Sequence, residues 1–205
     1  MYEAIPIKSK GDIINELFKV SENSRSLVVL FPGGNYGCDK PLLYYARKAA
    51  ANLGFDVLNI AYSKKLSAED VGMESLDIIA DEVNCTIKSA TLKEYDNIYF
   101  ISKSIGTEIA GNISERLEYG NVKNLFLTPT RGSIKYILKS ECMIVTGTKD
   151  KLFTDDCIDL IKKIKHVDLI LVKGGNHSLE IEDNVEQSIN IMQDIAKLYT
   201  IFLKD

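Results

Sequence analysis

Short, unbroken apolar runs alternate with amphipathic stretches along most of this chain. The runs are "SLVVLF" (26–31), "FDVLNIAY" (55–62), "NIYFIS" (97–102), "NLFLT" (124–128), "CMIVTG" (142–147) and "VDLILVKG" (167–174). Each has strand length, and none alternates apolar with polar, which is the pattern of strands covered on both faces in a parallel sheet. Between them the spacing turns helical. In 39–53, Leu42, Ala46, Ala49 and Leu53 share a face, with Asp39 as the expected cap, Pro41 in the first turn and Gly54 as the stop. Residues 69–89 carry Val71, Leu76, Ile79, Val83 and Ile87. Residues 105–118 align Ile109, Ile113 and Leu117, and 180–203 aligns Val185, Ile189, Met192, Ala196, Tyr199 and Leu203. This β-α-β-α order predicts a three-layer α/β sandwich, a mostly parallel central sheet flanked by helices and built on right-handed crossovers. At the N-terminus, "AIPIKS" and "NELFKV" are expected to add antiparallel edge strands with "SENSRS" as the hairpin turn; a helix over 11–20 is the competing reading.

Composition narrows the picture. With 205 residues, 45% of them hydrophobic, the chain is expected to form one domain (1–205) around one core, without a separate cap or lid. The formal charge is −4 with acids and bases interleaved, unlike a nucleic-acid binder that gathers Lys and Arg on one face. No apolar run reaches membrane-spanning length, and the first residues lack the apolar core of a signal peptide. Cys38, Cys85, Cys142 and Cys157 are scattered without metal-site spacing, as expected of reduced thiols in a cytoplasmic protein.

Candidate chemistry gathers at strand ends, where pockets of such sheets open. "SKSIG" (102–106) runs from strand through a tight turn straight into a helix. That geometry suits a nucleophilic Ser104 with helix amides behind it, yet it equally suits a serine N-cap. "GTKD" places Asp150 just past a strand, either to orient a histidine or as an ordinary turn residue; Asp155 and Asp156 are read as starting the next helix. "GGNHSLE" places His177 in a glycine-flanked loop, whereas His166 in "KKIKHVD" reads as a surface residue. "FPGGNYG" (31–37) is a glycine-rich turn suited to an oxyanion donor or a phosphate cradle, although neither dinucleotide nor P-loop spacing is present. The order Ser104, Asp150, His177, each at a successive strand end, is far more specific than any part of it.

With these residues in place, the chain over roughly 25–203 resembles the α/β-hydrolase superfamily, in particular its small, lidless, dienelactone-hydrolase- or esterase-like members. "VVLFPGG" is similar to the oxyanion strand with Pro32 where histidine is frequent, and "SKSIG" to the nucleophile elbow with Ser102 in place of its first glycine. The resemblance implies Ser104 as nucleophile, His177 as base and acid, and Asp150 as its orienting partner. It further implies oxyanion donors at the amides of Ile105 and Gly34, with Asn35 as the alternative to Gly34. Asn35, Tyr36 and Lys103 are the candidates for substrate contact; Lys103 reads more simply as solvated, and Tyr36 and Tyr62 either line the site or pack beneath it. The expected partner is a small acyl substrate, an ester or thioester, with no cofactor, metal, nucleic acid or membrane and an open oligomeric state. A non-catalytic binding protein on the same fold is the alternative, motivated by the off-pattern Ser102. A nucleotide-binding module using "GGNYG" would leave Asp150 and His177 without a role.

Overall fold

In a computed structural model, which describes residues 3–8, 13–91, 95–116, 118–119 and 122–205, the apolar runs become the centre of one eight-stranded sheet. Its strands are β1 (Glu3–Lys8), β2 (Ile14–Lys19), β3 (Ser26–Phe31), β4 (Asp56–Asn59), β5 (Asn97–Lys103), β6 (Val122–Leu127), β7 (Cys142–Gly147) and β8 (Val167–Val172). They lie in the order β1-β2-β4-β3-β5-β6-β7-β8. From β4 to β8 every pairing is parallel, while β1 with β2 and β2 with β4 are antiparallel. All six residues of β3 are buried, as a strand covered on both faces must be.

Helices α1 (Pro41–Asn52), α2 (Ser75–Ala90), α3 (Gly106–Glu115), α4 (Ile134–Ile137), α5 (Asp155–Ile161) and α6 (Val185–Phe202) supply the outer layers. Leu42, Leu43 and Ala46 of α1 pack with Ile195, Tyr199 and Phe202 of α6 over Val28, Leu30 and Ile101. On the other face, Ile79 and Val83 of α2, Ile109 and Ile113 of α3 and Ile158 of α5 cover Val29, Phe31, Phe100 and Phe126.

Several local expectations change. "SENSRS" is not a hairpin turn: it carries the chain from β2 to β3, and β4 lies between those two strands. The helical reading of 11–20 gives way to β2, whose buried Asn15, Leu17 and Phe18 interleave with exposed Ile14 and Glu16; residues 11–12 lie outside the described residues. Asp39 does not cap α1. The cap position is Lys40, with Pro41 opening the helix, and the Leu42 amide donates to Tyr36 Oη (3.0 Å). Gly54, at φ +81°, does stop that helix. The stretch 69–89 splits because Gly72 takes φ +73°, so α2 begins only at Ser75 after a short 3₁₀ turn, Ala68–Asp70. Leu117, expected on the inner stripe of the helix over 105–118, lies outside the described residues.

The final helix is shorter than 180–203, and its expected stripe is covered only in its later part. Asn184 caps it by accepting from the Gln187 amide, and Val185 and Ile189 are 75% and 63% exposed. They line a groove of about 920 Å³ shared with Leu42, Tyr45 and Met192. Tyr199 and Leu203 of the expected stripe are buried, joined by Ile195 and Phe202. Among the described residues no helix is long and apolar enough to cross a membrane.

Candidate active site

β5 ends at Lys103 and α3 starts at Gly106, so only Ser104 and Ile105 make the turn between them. A connection that short forces Ser104 into the left-handed region, at φ +55°, a conformation a side chain adopts only when its surroundings impose it. Three bonds hold the turn. The Ser104 amide donates to Leu127 O (3.0 Å), and the Ser104 carbonyl accepts from the Thr107 amide (2.9 Å) and Thr107 Oγ1 (2.6 Å). Gly106 is required beside it: a Cβ there would lie 2.4 Å from the Pro32 carbonyl oxygen and 2.7 Å from that of Phe31.

The acid and the histidine arrive on two loops stitched to each other. Thr148 N donates to Val172 O (3.0 Å), Lys149 N to Gly175 O (2.9 Å) and Gly174 N to Thr148 Oγ1 (2.8 Å). Within the second loop, Asn176 Oδ1 accepts from the amides of Ser178 (2.8 Å) and Glu180 (3.1 Å), which fixes the turn that carries His177.

Ser104, Asp150 and His177 come together in one line. His177 Nε2 is 2.8 Å from Ser104 Oγ, and His177 Nδ1 is 2.8 Å and 2.9 Å from the two Asp150 carboxylate oxygens. The Asp150 side chain is fully buried and also accepts from the Leu152 amide (2.8 Å) and Thr146 Oγ1 (3.4 Å). A carboxylate at Nδ1 makes that nitrogen the donor and leaves Nε2 as the acceptor facing the serine hydroxyl.

The glycine loop closes the opposite side. A Cβ on Gly33 would lie 3.2 Å from Ser104 Cβ, so this backbone packs directly against the serine. The Gly33 amide is occupied, donating to Tyr36 O (2.9 Å), whereas the amides of Gly34, Asn35 and Ile105 meet no acceptor among the described residues.

Lys103 corrects its expected solvated state. It is 1% exposed, its Nζ donates to the His177 carbonyl (2.9 Å), and it lies 5.1 Å from the centre of the Tyr36 ring. Burial lowers its ammonium to about 8, against the opposing pull of Asp150 and Glu180. Lys103 therefore ties the serine's strand to the histidine's loop, a role its sequence position gives no sign of. Tyr62 packs beneath the glycine loop and donates from Oη to Pro32 O (2.9 Å), Asn35 is exposed at the loop tip, and His166 is on the surface as expected. Sequence reasoning also missed Thr107 and Thr146, since small hydroxyls near a turn carry no distinctive signal.

No protein-family model and no curated protein matches the sequence. Solved structures do match in shape. Est1E from Butyrivibrio proteoclasticus superposes with a TM-score of 0.73 at 11% identity, covering 98% of this chain and 99% of its own. An esterase from Pyrococcus furiosus gives 0.69 at 13% identity, over 100% of this chain and 92% of its own. A serine hydrolase without a lid from Xanthomonas campestris gives 0.66 at 11% identity, over 99% and 94%. At these identities the likeness establishes the architecture alone.

Proposed function

We propose that this chain, which has the α/β-hydrolase fold, is a serine hydrolase that cleaves a small carboxylic ester or thioester through an acyl-enzyme on Ser104. The observation that carries this reading is the unbroken line from buried Asp150 through His177 to Ser104 Oγ. A serine used only as a helix cap has no need of a left-handed φ or of a carboxylate-backed imidazole at its hydroxyl.

His177 Nε2 takes the Ser104 proton as Oγ bonds to the acyl carbon. The resulting oxyanion is held by the free amides of Ile105 and Gly34, the first belonging to the turn itself and the second to the loop that packs on the serine. Removing one such donor typically costs about a hundred- to a thousand-fold in rate. His177 then gives the proton to the leaving alkoxide or thiolate as its bond to carbon breaks. Water, deprotonated by the same nitrogen, releases the acid. Asp150 keeps the ring in the required tautomer and stabilises the imidazolium. Unbridged cysteines support a reducing, cytoplasmic setting for this chemistry.

Steady-state hydrolysis of p-nitrophenyl acetate and butyrate tests the reading. Wild type is expected to turn over, and Ser104→Ala and His177→Ala each to lose at least about a thousand-fold in kcat, since triad members act as a unit. A folded wild type with no activity above these variants would favour a binding protein on the same scaffold.

A further inference from the structure

The proton transfers assigned to the triad leave one buried charge beside it unused. Lys103 is the last residue of β5, and its side chain shares a sheet face with Tyr99 and Ile101, beneath α1 and α6. An apolar chain of similar length would fill that space without the cost of desolvating an ammonium. What such a chain lacks is a donor.

Lys103 Nζ donates to the His177 carbonyl (2.9 Å), and no other donor reaches that carbonyl among the described residues. The other bonds of the loop bypass it: Asn176 N donates to Glu180 O (3.0 Å), Leu179 N to Asn176 O (2.9 Å), and Asn176 Oδ1 accepts from the amides of Ser178 and Glu180. The ammonium also lies 5.1 Å from the centre of the Tyr36 ring. The Tyr36 carbonyl in turn accepts from Gly33, whose backbone packs on Ser104. One cation therefore links the strand that carries the serine, the backbone of the histidine and the glycine loop.

We propose that Lys103 is a positioning residue for the hydrolysis: its ammonium, held between the His177 carbonyl and the Tyr36 ring, keeps the imidazole on the Ser104 hydroxyl, and turnover depends on that charge. The reaction is taken from the hydrolase reading, whereas the contact stands on the geometry alone.

Charge matters because a charge-assisted hydrogen bond is roughly twice as strong as a neutral one, and a neutral amine loses its attraction to the ring face. Around Lys103 stand Asp150 from the loop after β7, His177 and Glu180 from the loop after β8, Tyr36 from the loop after β3 and, near Tyr36, Tyr199 of α6. α1 adds Leu42, whose amide and carbonyl engage the hydroxyls of Tyr36 and Tyr199. Burial lowers the ammonium to about 8 and pushes both phenols up, so the range just above pH 8 titrates Lys103 and neither tyrosine. Turnover is therefore expected to fall as pH rises through about 8.

Turnover of p-nitrophenyl butyrate from about pH 7 to about pH 9.5, corrected for spontaneous hydrolysis, tests this dependence. Wild-type kcat is expected to fall at least about fivefold along a single-proton limb. Lys103→Met removes donor and charge, and is expected to lower kcat at least about tenfold at pH 7 and to lack the limb, since a misplacement of about 1 Å can cost about a hundredfold. Lys103→Gln keeps a donor without the charge, and is expected to lie between the two, again without the limb. KM stays within about twofold in both, because buried Lys103 does not meet the substrate. Circular-dichroism melts check folding; where Lys103→Met does not fold, Lys103→Gln and the wild-type signal below decide.

A readout without turnover uses the two histidines of the chain. Labelling the histidine carbonyl carbons gives two NMR signals, assigned with His166→Gln. The His177 signal is expected to move with a midpoint near pH 8 in wild type and to lose that step in Lys103→Met. A wild-type kcat that stays level, a limb or a wild-type kcat retained in folded Lys103→Met, or a His177 signal without the step overturns the positioning role and leaves the hydrolase reading standing. Absence of wild-type turnover at every pH overturns the hydrolase reading, and the carbonyl signal then decides the contact alone.

Discussion

Lys103 sits next to the nucleophile, yet it faces inward, and an ammonium there is held against the cost of desolvation. Its ordinary value of 10.5 falls to about 8 in the folded chain. Between these two pH values the unfolded chain binds a proton that the folded chain has released, so stability rises with pH across that window and the full burial cost is present below about pH 8. The shift corresponds to at most about 3 kcal/mol. Denaturant titrations of wild type and Lys103→Met should therefore differ by an amount that climbs in favour of wild type from pH 8 to 10.5; a flat difference would show that the ammonium is not desolvated. The triad residues were legible because each stands at the end of an apolar run. Lys103 stands there too, but a lysine in sequence reads as solvated, and only the folded positions of Tyr36 and the His177 carbonyl reveal otherwise.

The strand–turn–helix element explains how the site tolerates Ser102. That residue lies within β5, fully buried, and its Oγ donates to Leu125 O (3.4 Å), so the hydroxyl at the first small position of the motif has a partner inside the sheet. The critical small residue is Gly106, where the first turn of α3 presses on the backbone ending β3. Backbone carbonyls cannot rotate away. Gly106→Ala is expected to cost about 1–3 kcal/mol, as overpacking does, and to lower ester turnover by displacing the elbow; a thermal melt beside a rate assay checks both. Elements buried on two faces, such as β3, β5 and β6, announced themselves through continuous apolar runs. Those with one exposed side were less legible. The early part of α6 carries Val185 and Ile189 on a groove rather than on the core, so its apolar spacing overstated how far the core reaches. Pairing of β2 with β4 was hidden as well, because neighbours in a sheet are set by crossovers rather than by adjacency in sequence.

At the scale of the whole molecule, the parallel sheet brings four strand ends to one edge. β3 delivers the glycine loop, β5 the serine, β7 the acid and β8 the histidine, although the residues they carry span 33 to 177. The sequence made this convergence readable in outline, since ligand sites of α/β sheets gather at carboxyl ends. It left open whether the three side chains meet, which depends on the stitching between the acid and histidine loops. The central claim, that this edge presents an activated serine, is tested most directly by reacting the folded protein with a fluorophosphonate and mapping the adduct by peptide mass. One equivalent bound, located on Ser104 and lost in both Ser104→Ala and His177→Ala, is the expected result. A native protein that stays unlabelled, or carries its adduct on another residue, would contradict it.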